Sequence, residues 1–89
     1  MLAVIEGYAL AAIGQLPAGQ EAILAPSVQH AFGGGEDWRA TVRKTMNWPA
    51  NLDERIQSDW REFSEKATKA GTAPDARAFA RNFADQYAK

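Results

Sequence analysis

The spacing of apolar side chains divides the chain into an apolar opening and a longer run of amphipathic helices. The clearest stripe is Leu52, Ile56, Trp60, Phe63, Ala67 and Ala70. Steps of four and three place these residues on one face of a helix over 52–70. Asn51 stands at the N-cap position, Glu54 completes a capping-box pattern, and Gly71 suits the left-handed position beyond the last turn. Glu62 with Lys66, and Glu65 with Lys69, form i,i+4 pairs on the other faces. A second stripe, Ala76, Phe79, Ala80, Phe83, Ala84 and Tyr87, predicts a helix over 74–88. Thr72 to Asp75 form its start signal, with Pro74 in the first turn. A short connection should make these two helices an antiparallel pair. Residues 36–47 predict a shorter helix with Trp38, Val42 and Met46 along one side. It should stop near Asn47, because Trp48 precedes Pro49 and is biased away from helical angles.

The opening segment has a different pattern. Residues 1–16 read as a helix that is apolar nearly all the way round, and such a helix is usually buried on every side. Ile5, Ala9, Ala12, Ile13 and Leu16 make a core-directed face. Ala3, Gly7, Ala11 and Gly14 make a stripe of small residues, which lets a second backbone approach closely. Each glycine weakens the helix by up to about 1 kcal/mol relative to alanine, so close packing has to offset that cost. The second backbone is either another helix of the same chain or a second chain, and the pattern leaves both open. A further helical stretch follows Pro17, and Pro26 either kinks it or separates a short turn at 27–32. The run Gly33-Gly34-Gly35 reads as a loop.

These elements make one all-α domain over 1–89, a compact bundle of four to five short helices. Residues 1–32 form its apolar part, 33–35 the glycine loop and 36–89 its amphipathic helices. Eighteen of the apolar residues are alanine and there is no cysteine. A domain this size buries only about 60% of its unfolded surface. With no disulfide available, a partner or a second copy is a remaining source of stability.

Charge sharpens the division. Residues 1–35 carry only Glu6 and Glu21, whereas 36–89 carry all ten Lys and Arg and the other nine acids. The segment 1–16 falls short of the roughly 20 apolar residues that span a bilayer. It also lacks the basic start of a secretory leader. The expectation is a cytoplasmic protein with no membrane segment.

Candidate chemistry is sparse. One histidine, His30, and no cysteine give no metal set, since zinc sites want clustered ligands. Ser27 lies three residues before His30, but no third group orients that pair. Ser58 and Ser64 lack the context of an activated nucleophile. The acid pairs Asp53–Glu54 and Asp59–Glu62 have Arg55 and Arg61 nearby and read as solvated helix surface. No Lys-Ser or Lys-Thr directly follows the glycines, so they are no phosphate loop. No catalytic, cofactor or metal residue is therefore assigned.

The preferred function is non-catalytic: a homodimer or an accessory, regulatory subunit that acts by protein–protein contact. Its candidate surface is Ala3, Gly7, Ala11 and Gly14, together with Trp48, the tryptophan expected to be partly exposed. Trp38 and Trp60 are expected in the core. The alternative is a helical regulator that touches nucleic acid through Arg39, Arg43, Lys44, Arg77 and Arg81. The net charge of −1, and the acids Glu36 and Asp37 at the start of the candidate recognition helix, weigh against it. An enzyme ranks third.

Overall fold

The helix that is apolar all round takes the centre of the bundle. The computed structural model describes residues 2–33 and 37–87. Met1, Gly34, Gly35, Glu36 and Ala88, expected as parts of helices or of the glycine loop, lie outside the described residues. Within them run α1 (Leu2–Ala12), α2 (Ala18–Phe32), α3 (Trp38–Met46), α4 (Leu52–Lys69) and α5 (Ala76–Tyr87). The fold is all-α. On α1, Ile5, Gly7, Tyr8, Ala9, Leu10 and Ala12 are all buried. They are covered by α2 and α4 and, most extensively, by α5. The outer layer supplies Val28 from α2, Trp38 and Val42 from α3, Leu52 and Ile56 from α4, and Phe79, Ala80, Phe83 and Ala84 from α5.

The helix ends show where local chemistry overrode the periodic pattern. α1 stops at Ala12 rather than reaching Leu16. Gly14 has φ 72°, its N–H donates to Ala11 O at 3.1 Å, and Gln15 N–H donates to Leu10 O at 2.8 Å. This pair of bonds is the Schellman closure, so Gly14 terminates the helix and is not part of its stripe. The same closure ends α3 at Asn47, φ 55°, and follows α4 at Gly71, φ 78°.

Three helix starts also differ from the pattern. The capping box at Asn51 does not form. Its backbone lies at φ −91°, ψ 10°, and its side chain caps nothing, because a capping side chain reaches the first-turn N–H groups from an extended backbone. Asp37 and Asp75 instead act as caps. Asp37 Oδ1 accepts from Arg39 N and Ala40 N at 3.0 and 3.4 Å. Asp75 Oδ1 accepts from Arg77 N and Ala78 N at 3.0 and 3.3 Å. α3 and α5 accordingly begin at Trp38 and Ala76, and Pro74 lies ahead of the cap rather than in the first turn. Pro26 sits inside one continuous α2. Just after it, the Ser27 hydroxyl donates to Ile23 O at 2.9 Å.

α4 and α5 meet through aromatic rings rather than through closely packed backbones. Phe79 packs on Trp60 and Phe63 at centroid distances of 5.4 and 5.6 Å. Further along α5, Phe83 reaches back to Trp48, ahead of α4, at 6.1 Å. The α4 stripe is buried at Leu52 and Ile56 but only half-buried at Trp60, Phe63 and Ala67, and Ala70 is exposed. Trp60 is therefore at the edge of the core, whereas Trp38 lies within it.

Candidate functional site

Two features carry the polar and exposed chemistry. One is a charged knot between α1, α3 and α4. Arg39 and Arg43, one turn apart on α3, both face Asp53 in the first turn of α4. Arg39 Nη2 lies 3.0 Å, and Arg43 Nη1 3.3 Å, from Asp53 Oδ2. The Tyr8 hydroxyl of α1 donates to the other oxygen, Oδ1. The Arg39 guanidinium sits over the Tyr8 ring, 5.4 Å from its centroid. Trp48 closes the ring edge-on at 4.9 Å. Asp53 is thus no member of a solvated acid pair: it is the acceptor that ties three helices together. Nothing local foretells this, because its donors come from two other helices. Burial first, and then the Asp53 carboxylate, hold the Tyr8 phenol well above its ordinary range, while Arg43 and Arg39 pull weakly the other way.

The second feature is a groove of about 330 Å³ where α2 and α5 flank α1. Ala3, Gly7, Leu10 and Ala80 line its apolar floor, and Ile23 and Leu24 form one wall. Glu6, Gln20, Arg77 and Arg81 stand around it. Ile23 leaves 68% of its surface exposed, more than any other large apolar side chain described. The sequence reading missed Ile23; the available signal was an isoleucine flanked by Ala22, Gln20 and Glu21.

The expected surface residues separate. Ala3 is exposed on the groove. Gly7 is buried beneath the Leu24 side chain, which occupies the space a β-carbon would need, so the close approach at Gly7 is made by the chain's own α2. Ala11 is half-buried, and Gly14 is exposed beyond the end of α1. Trp48 is half-buried among Tyr8, Phe83 and Tyr87. The five candidate cations also divide. Arg39 and Arg43 are turned onto Asp53, and Lys44 is exposed on α3. Arg77 and Arg81 line the groove, with Arg81 Nε 3.9 Å from Glu6 Oε1.

His30 is exposed in the last turn of α2. Among the described residues, no three His, Cys, Asp or Glu side chains gather as a metal set. No described helix is long and apolar enough to cross a membrane. No protein family, curated protein or solved structure matches the chain.

Proposed function

We propose that the protein acts without catalysis, by contact between the α1–α2–α5 groove and another protein surface, as a homodimer or as an accessory, regulatory subunit. The observation that carries this reading is Ile23, 68% exposed on the wall of an apolar groove. Covering the exposed part of such a side chain contributes about 1–2 kcal/mol toward a complex, before the cost of association. Exposed apolar surface rimmed by polar groups is the usual mark of an interaction site. A cytoplasmic setting belongs to the same proposal, and the cysteine-free sequence suits a reducing compartment.

A hydrophobic dye that brightens in apolar sites tests the reading. Binding by the wild-type chain, or an assembly larger than one chain in light scattering, is expected. Ile23→Asp should abolish either signal with an unchanged helical circular dichroism spectrum. A monomer that binds no dye overturns the proposal. The nucleic-acid alternative now rests mainly on Lys44 and Arg77, because Arg39, Arg43 and Arg81 already face carboxylates. Few phosphate contacts give weak binding that is steeply sensitive to salt.

A further inference from the structure

We infer that the surface covering this groove is a second copy of the same chain, related by a two-fold axis, with Ile23 of each copy seated in the groove of the other. The inference rests on the contact reading above and names its partner.

Two observations point to self-association rather than to an unrelated protein. The first is that knob and hole share one face. Ile23 projects from the wall of the groove that lies between α1, α2 and α5. A two-fold interface needs this arrangement, since residue i of one copy meets residue j of the other and the reverse holds at the same time. Ile23 is open to solvent on its helix: Ala22 beside it is small and exposed, a β-carbon on Gly19 would meet nothing within 4 Å, and Gln20 one turn earlier is exposed on the same groove. A second surface can therefore reach Ile23 between Gln20 and Leu24.

The second observation is the charge of the rim. Glu6 stands on α1, and Arg77 and Arg81 stand on α5. One acid faces two cations, and the contact within the chain is long, 3.9 Å, with the Arg81 side chain 72% exposed. A copy turned over on the groove brings its arginines toward the other copy's Glu6. Carrying both signs, the rim can pair Glu6 of each copy with an arginine of the other, with the remaining arginine of each copy at the solvent edge.

The chain lacks cysteine, so single thiols can be placed cleanly. Chains carrying Ile23→Cys and chains carrying Ala3→Cys, mixed under mild oxidation, should give a covalent Ile23Cys–Ala3Cys dimer in preference to Ala3Cys homodimers. Light scattering of the wild type should give twice 9.7 kDa, and Ile23→Asp should weaken the dimer by about tenfold or more. Glu6→Arg and Arg81→Glu chains should each dimerise poorly alone and recover when mixed. Ile23→Ser provides a milder second variant should Ile23→Asp disturb folding. A monomer whose dye binding is lost in Ile23→Asp overturns the two-fold dimer while leaving the contact reading in place. A dimer that ignores both Ile23 variants also overturns it, because that dimer uses another surface. A monomer without dye binding removes both.

Discussion

The Leu24 side chain of α2 lies over the Cα of Gly7 on α1, in the space a β-carbon would fill. Gly7 is thus a point where a side chain of α2 seats directly on the backbone of α1. The group in the way is the flexible end of a half-buried leucine. Gly7→Ala should let Leu24 turn aside. The helix-propensity gain, up to about 1 kcal/mol, then offsets the repacking, and the net change in urea unfolding should stay below about 1 kcal/mol. Gly7→Leu cannot be accommodated in this way and should cost about 1–3 kcal/mol. If Gly7→Leu left the urea midpoint unmoved, α1 and α2 would not be packed at this point.

The Tyr8–Asp53–Arg39–Arg43 knot predicts an ordering among three variants. Asp53→Ala removes the acceptor from the buried Tyr8 hydroxyl and should cost about 2 kcal/mol, mostly as an unsatisfied buried donor. The arginines are about a third exposed and recover water, so they add little to that figure. Tyr8→Phe removes donor and demand together and should cost about 1 kcal/mol. The double variant should lose less than the sum, because both changes act on one bond. Thermal melts of the four proteins measure this directly, and strict additivity would mean that Tyr8 and Asp53 are not partners.

The raised Tyr8 phenol gives a pH dependence with a defined sign. The fold favours the neutral phenol, so its contribution to stability is fully present below the unfolded tyrosine value, about 10. As pH rises above that value the unfolded chain gives up a proton that the folded chain retains, and stability falls until the folded group ionises as well. Urea midpoints should therefore decline above about pH 10, and the decline should be shallower in Tyr8→Phe. Equal slopes in the two proteins would count against a buried, Asp53-bonded phenol.

The left-handed helix ends predict opposite effects of opposite exchanges. Asn47 sits at φ 55° where glycine is free of strain, so Asn47→Gly should be neutral or mildly stabilising. Gly14 and Gly71 have φ 72° and 78° with open space around them. Gly14→Ala and Gly71→Ala should each cost about 1 kcal/mol through backbone strain alone. Chemical denaturation of the three variants checks the signs.

The pattern of the sequence revealed what one helix can reveal about itself. The Phe79, Ala80, Phe83, Ala84 face is buried as its spacing implies, and α1, apolar nearly all round, is buried at Ile5 and from Gly7 to Leu10 but open along the groove at Ala3. Gly71 closes α4 because only local backbone geometry decides a Schellman turn. The failures cluster where a residue's role is set from elsewhere. Asp53 looked like surface because Arg39, Arg43 and Tyr8 lie on other helices. Gly14 fits the small-residue spacing, yet its freedom at positive φ ends the helix before that spacing matters. Ile23 stands out as exposed only once α1 and α3 are known to leave that side of α2 uncovered. The Asn51 signal had the right residue type, but its backbone turned the side chain away.

The placement of α1 has a consequence for how the chain comes to be made. Its most extensive cover is α5, the last of the five helices to leave the ribosome. Everything between Ala12 and Ala76 is synthesised while the Phe79 and Phe83 face is still missing. The most apolar segment therefore waits longest for shelter, and a nascent chain exposing such surface is prone to aggregate. Ala3, Ala9, Ala11 and Ala12, interleaved with its larger side chains, limit how adhesive that waiting surface is.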